Sequence, residues 1–137
     1  MLNVGFIKLR HFSDGRGFLV PIELGSDIPF NVKRIYYIGA VDHDVIRGRH
    51  AHKALHQILI CISGSVTVTL DNTIEKQEIV LDDPTIGLHI GPLVWREMAK
   101  FSVGAVLLVL ASQHYDESDY LRSYEVFQGQ ARRLFGG

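Results

Sequence analysis

Apolar and polar positions along this chain alternate in short runs, the two-residue period of half-buried strands rather than the longer period of helices. The run "GSVTVTLDN" shows it most cleanly, alternating from Ser65 to Leu70 before a turn. The pattern predicts strands near 4–9, 18–24, 32–38, 49–52, 57–63, 66–70, 75–81, 87–90, 94–98 and 105–111. Between them stand "SDGRG", "GSDIPF", "DHD", "ISGS", "LDN", "LDDP" and "IGP", all of them turn chemistry. Many short strands with no helix interleaved predict an all-β, antiparallel barrel or sandwich. With no repeat, low-complexity tract or linker, the chain reads as one domain over 1–137, with strands to about 112.

Two segments depart from alternation. The run "AVLLVLAS" is apolar on both faces, so it needs cover on both sides, either as an internal strand or beneath a second subunit. The tail "DESDYLRSYEVFQGQARRLF" opens with capping residues and then sets Leu121, Tyr124 and Phe127 at helical spacing. This predicts a helical tail from about 116, one helix or two short ones, laid on the outside of the barrel or on a partner.

Composition narrows the function classes. Hydrophobic residues make up 47% and charged residues 21% of 137, so the chain is globular. A formal net charge of −1 gives no reason to expect nucleic acid or an anionic membrane, and any bound anion must be held by a local cluster of cations. The single cysteine, Cys61, excludes an internal disulfide and suits a reducing cytosol. No apolar window approaches signal-peptide or membrane-span length, so a cytoplasmic location is expected.

The chemistry concentrates in "RGRHAHKALHQILICISGS". His50 and His52 stand two apart on a predicted strand, which aims both imidazoles at one face. The spacing of Gly48, His50, His52, Gln57 and Gly64 follows the first motif of cupins, whose metal-binding members add an acid and a third histidine. Here the acid position is Gln57, and Trp95 and Arg96 stand where the third histidine is expected. A guanidinium stays protonated and repels a metal, and catalytic metal sites usually need three protein ligands. His56, in a turn, and His89, on a strand, read as surface or core histidines rather than substitutes. No metal or other cofactor is therefore expected. Polar Arg47, Arg49, Lys53 and Gln57 crowd the histidine pair, although a barrel needing only filler favours aliphatic residues. Imidazoles titrate near neutrality, so the pair suits proton transfer on a carbon acid.

The stretches "DGRGFLVPIEL", "PFNVKRIYYI", "RGRHAHKALHQILICISGSVTVTLDN", "IGLHIGPLVWREM" and "VLASQHYDESDYLRSYEVF" together resemble the nucleotide-sugar 3,4-ketoisomerases of the cupin superfamily. The likeness runs from about Asp14 to Phe127. It implies a cupin-type jelly-roll barrel that dimerises, with exchange of an N-terminal strand in many members. It also implies a dTDP-4-keto-6-deoxyhexose substrate, no metal, and a product that feeds aminotransferases making 3-amino-3,6-dideoxyhexoses.

Within that reading His50 and His52 are the catalytic pair, His50 as the base at C3 and His52 moving protons at the oxygens or C4; spacing alone does not orient the sugar, so the reverse order stays open. Arg47 and Arg16 are candidates for the diphosphate or enediolate, and Lys53 for phosphate. Tyr37 is a candidate for stacking or hydrogen bonding in the pocket, Gln57 for a sugar hydroxyl. Arg96, in a loop at the pocket, bears on which face of C4 is protonated. Arg49 alternates away from His50 and reads as solvated. The rival functions are a 3,5-epimerase on the same substrate, a non-catalytic sugar-binding barrel and a metal-dependent oxygenase. The epimerase chemistry pairs a His–Asp base with a tyrosine acid, and no aspartate is evident as a partner to these histidines.

Overall fold

Two five-stranded antiparallel sheets face each other and enclose the main apolar core. The computed structural model describes residues 1–136. Its strands are β1 Val4–Lys8, β2 Phe12–Asp14, β3 Gly17–Leu19, β4 Arg34–Gly39, β5 Arg47–His52, β6 Gln57–Ser63, β7 Val66–Asp71, β8 Lys76–Leu81, β9 Ile86–Ile90, β10 Trp95–Ala99, β11 Val106–Ala111 and β12 Tyr120–Leu121. One sheet runs β1-β9-β6-β11-β4, the other β12-β5-β10-β7-β8, and β2 pairs only with β3. Apart from β7–β8 and β2–β3, sheet neighbours are distant in sequence, which is the connectivity of a jelly roll.

The run with two apolar faces becomes β11, between β6 and β4. Leu107 and Val109 enter the barrel, while Leu108 and Leu110 face outward against Ile58 and Ile60. The chain itself supplies the outer cover: Val20, Ile22, Ile28, Phe30 and Val32 lie over that face. This also explains why the strand predicted over 18–24 stops at Leu19. Pro21 donates no ladder hydrogen bond, and the segment crosses the sheet as a turn-rich cover. Phe12–Asp14, unmarked by the apolar pattern, pairs with Gly17–Leu19 as an exposed hairpin.

The tail is not helical from 116. A 3₁₀ turn over Glu117–Asp119 leads into β12, which pairs Tyr120 with His52 and Leu121 with Ala51. Helix α1, Tyr124–Phe135, follows. Ser123 caps it by accepting from the Val126 amide, and Gly136 ends it in the left-handed region at φ 74°. Phe127 and Ala131 bury its apolar face against Trp95, Ala51 and Leu121, on the outside of the second sheet. No helix among the described residues is long and apolar enough to cross a membrane.

Candidate active site

Strand parity sends one set of polar side chains into the barrel. On β4 the inward residues are Arg34, Tyr36 and Ile38; on β6 they are Gln57, Leu59 and Cys61; on β10 they are Arg96 and Met98. His50 and His52 complete the set from β5, where His50 pairs with Arg96.

A bulge on β5 decides which arginine joins them. The register runs Arg96↔His50 and then Glu97↔Gly48, so Arg49 is the extra residue, with φ at 54°. Strict alternation would place Arg47 opposite His50, but the bulge restores it to the same side, where it pairs with Met98. Gly48 makes this possible. Its φ is 87°, and a Cβ there would meet the Arg96 carbonyl and the Met98 Cε at 3.1 Å.

These residues border a cavity of about 430 Å³ walled by Arg34, Tyr36, Arg47, His50, Tyr120 and Arg122, with Tyr37 at its rim. His50 reaches the cavity. His52 lies one layer deeper and has no exposure, because its cross-strand neighbour Tyr120 covers it at a ring separation of 4.4 Å. The two imidazoles meet edge to face at 4.9 Å. Nδ1 of His52 lies 3.0 Å from Oδ2 of Asp119, while Oδ1 of that carboxylate accepts from the Ala54 amide at 2.9 Å.

Behind the histidines runs a second chain of contacts. Arg96, 1% exposed, donates through Nη1 to Gln57 Oε1 at 2.5 Å and through Nη2 to the Val94 carbonyl at 3.0 Å. Gln57 Nε2 donates to Tyr36 Oη at 2.9 Å. Burial lowers Arg96 to about 10, still protonated at neutrality, and raises the Tyr36 phenol. Burial first, and the Arg96 charge second, push His50 down to about 4. The same two causes hold His52 below its ordinary value, so both imidazoles rest neutral. His50 Nδ1, His52 Nε2, Arg34 Nε and Arg96 Nε are buried without a hydrogen-bond partner. A site with a charged guanidinium, two neutral imidazoles and unpaired polar atoms is suited to holding an oxygen-rich substrate and moving its protons.

Several sequence expectations change here. Tyr37 is on the outer face of β4, 75% exposed, and Tyr36 is the inward tyrosine. Gln57 has its oxygen and nitrogen engaged by Arg96 and Tyr36 rather than offered to a sugar. Arg96 is on a strand inside the barrel rather than in a loop at the pocket, because "WREMA" continues the β10 ladder. Lys53 is exposed and outside the cavity wall. Arg16 is 91% exposed and paired with Asp14 at 2.8 Å on the hairpin, which forms a separate hollow of about 440 Å³. His56 and His89 pair with each other, Nδ1 to Nε2 at 3.0 Å, against Phe30. No cluster of three or more potential metal ligands occurs among the described residues.

Sequence reasoning missed Asp119, Tyr120, Arg34 and Arg122. Asp119 and Tyr120 stand in the tail whose composition predicts helix, and only the pairing of β12 with β5 brings them to His52. His52 therefore does have an aspartate partner, one that the sequence does not reveal. Arg34 and Tyr36 were recoverable from parity, since both alternate with the apolar Ile38.

Residues 2–132 match the family described as "FdtA: WxcM-like, C-terminal". A TDP-4-oxo-6-deoxy-α-D-glucose-3,4-oxoisomerase from Aneurinibacillus thermoaerophilus is 49% identical over 122 residues, 89% of this chain and 88% of that one. The 3,4-ketoisomerase QdtA of Thermoanaerobacterium thermosaccharolyticum superposes with a TM-score of 0.97 at 52% identity, covering 98% of each chain. That structure is a histidine-to-asparagine variant in complex with TDP-4-keto-6-deoxyglucose. The WlaRB TDP-quinovose 3,4-ketoisomerase of Campylobacter jejuni superposes with a TM-score of 0.89 at 45% identity, covering 94% of this chain and 99% of that one.

Proposed function

We infer the activity of this chain from the FdtA (WxcM-like, C-terminal) family, to which it belongs, and from the chemistry of its cavity. It is an isomerase, a dTDP-sugar 3,4-ketoisomerase with an all-β cupin-type jelly-roll fold. The substrate is dTDP-4-keto-6-deoxy-D-glucose and the product its 3-keto isomer, whose new ketone suits later transamination.

The observation that carries the reading is His50: a neutral, half-buried imidazole whose Nδ1 is buried without a partner, in the wall of a cavity bordered by three arginines. The C4 ketone acidifies the proton on C3. His50 takes that proton, and the electron pair moves to form an enediolate between C3 and C4. The proton taken from C3 and the one released by O3 are returned to C4 and O4, so that O3 becomes the new carbonyl and O4 the new hydroxyl. The atoms balance without any outside oxidant. Arg34, Arg47 and Arg122, at the mouth, supply cations to the diphosphate and to the developing oxyanion. Arg34 is pre-set for this, its guanidinium lying 5.2 Å from the Tyr36 ring and 5.6 Å from the Tyr115 ring.

The working form is a homodimer with exchange of the N-terminal hairpin. Every residue of β2 and β3 is exposed, including Phe12, Phe18 and Leu19, and so are Ile35 and Tyr37 on the edge strand β4. A second copy covering these apolar side chains would bring Arg16 from one hairpin to the other barrel. The one cysteine, Cys61, free and buried, suits a cytoplasmic enzyme.

The test is incubation with dTDP-4-keto-6-deoxyglucose in deuterated buffer, followed by NMR of the sugar. Loss of the C3 proton, deuterium at C4 and a carbonyl at C3 are expected. Inversion at C3 or C5 with the ketone still at C4 would make the chain an epimerase, and an unchanged sugar would make it a binding protein.

A further inference from the structure

We propose that Asp119 is a positioning residue for the isomerisation: it fixes the tautomer of His52, with the proton on Nδ1 and the lone pair on Nε2, and so keeps a proton acceptor directly behind His50. The proposal rests on the activity inferred above, and its first test is independent of that activity.

Each oxygen of Asp119 has its own partner. Oδ1 accepts from the Ala54 amide at 2.9 Å, and the Asp119 carbonyl accepts from the Lys53 amide at 2.9 Å. Residue 119 is thus tied to the turn that follows β5 through both its carboxylate and its backbone carbonyl. Its other oxygen, Oδ2, lies 3.0 Å from His52 Nδ1. A carboxylate accepts and does not donate, so the hydrogen in that contact belongs to Nδ1. A neutral imidazole carries one proton, which leaves Nε2 as a bare acceptor. That Nε2 is buried and has no partner.

Its position gives the acceptor a use. His52 touches the two rings that line the cavity, His50 at 4.9 Å and Tyr120 at 4.4 Å between centroids. His52 itself is fully buried, so it serves as an internal proton store rather than a direct contact of the sugar. When His50 gains the C3 proton, positive charge appears in front of the buried Arg96 cation, whose charge already acts on His50. Asp119 is the buried carboxylate placed to offset it through His52.

The isosteric variant Asp119→Asn makes the proposal testable. The Ala54 amide still needs its acceptor, so the asparagine oxygen stays there and the amide NH₂ turns to His52 Nδ1. The imidazole is then forced to carry its proton on Nε2, and the bare acceptor behind His50 is lost. The fold-side contacts of residue 119 are all kept.

The first experiment is NMR of wild-type protein labelled with ¹⁵N-histidine, through long-range couplings from the ring carbons. His52 is expected to show a protonated Nδ1 and an unprotonated Nε2. The reverse assignment overturns the proposal, with or without a working enzyme and whether or not any variant folds. The second experiment compares Asp119→Asn with wild type. A reversed tautomer is expected, with kcat reduced at least about 100-fold and TDP affinity within about 3-fold of wild type. A variant that keeps kcat near wild type also overturns the proposal. A wild-type chain with the expected tautomer but no isomerisation would sink the activity reading and leave the tautomer assignment standing.

Discussion

Arg96 Nη1 donates to Gln57 Oε1 at 2.5 Å, and so joins strands β10 and β6, which belong to opposite sheets. The contact ties the barrel together beneath the cavity, and Gln57 extends it to Tyr36 on β4. Replacing Gln57 with Leu removes the acceptor while the charge stays buried. The variant should lose about 1.5–3 kcal/mol of stability, the usual range for a hydrogen bond to a charged group. Urea unfolding with an unchanged m-value measures it. A loss below about 0.5 kcal/mol would mean that water takes over the amide's role.

His50→Asn should abolish both turnover and deuterium exchange at C3, while TDP still binds, because the variant keeps the cavity and removes only the base. His52→Asn should slow turnover by at least about 100-fold yet permit some C3 exchange, since His52 lies behind the first proton transfer. Exchange rates read by NMR separate the two steps. Near-normal rates in both variants would remove the pair from the mechanism.

The alternation of apolar residues carried the barrel, because period 2 is a direct consequence of pleating. Where the chain breaks that period, the sequence was silent. The bulge at Arg49 shifts the phase of β5 by one residue, and nothing local to "RGRH" announces it except a glycine that tolerates φ 87°. Asp119 and Tyr120 were hidden for a different reason. Their segment has helical composition, and a two-residue pairing to β5 overrides that propensity. Tyr36 and Tyr37 are adjacent, so choosing between them needed the strand's phase rather than its existence. Arg16 stood out as a cation in a glycine-flanked turn, but no pattern within one chain states which barrel that turn serves.

Chelation should leave the rate unchanged. The position that would complete a metal site with His50 and His52 holds Gln57 bonded to the Arg96 guanidinium, and Arg96 stays protonated well above neutrality. Overnight dialysis against EDTA, with elemental analysis before and after, tests this. About one zinc, iron or manganese per chain, with activity lost on its removal, would contradict it.

The depressed His50 makes a pH prediction. A base with its pKa near 4 stays unprotonated across the physiological range, so the acid limb of kcat/KM should fall through about pH 4 instead of the ordinary 6.5. Stability follows from the same shift. Below about pH 6.5 the unfolded chain protonates these histidines while the folded one does not, so the unfolded state binds more protons. Stability should therefore fall as pH drops from about 6.5 toward 4, and this contribution should be flat above 7. A pH–rate profile and urea midpoints across that window check both. An acid limb near 6.5 would mean that the cavity hydrates His50 fully.

Arg16 and the cavity that it is expected to serve are separate within one chain, with no lining residue in common. In one chain Arg16 is solvated, paired with Asp14, and part of a hollow that contains no histidine. If hairpins are exchanged, Arg16 acts in the partner's barrel, and two defective proteins can repair each other. His50→Asn keeps Arg16 but has no base. Arg16→Ala keeps the base but supplies no arginine to its partner. In a mixed dimer, the barrel of the Arg16→Ala protomer holds an intact His50 and receives an intact Arg16 from the other protomer, so one site of two is restored. Random reassortment makes half the dimers mixed, and the expected recovery is about one quarter of wild-type activity from two proteins that are each nearly inactive. The measurement is co-refolding of the two variants at equal concentration, followed by the NMR assay and by light scattering for mass. A dimer whose mixed sample gains nothing over the average of its parents would show that Arg16 does not serve the partner's site. A monomeric mass would remove the exchange altogether and leave Phe12, Phe18 and Leu19 facing water.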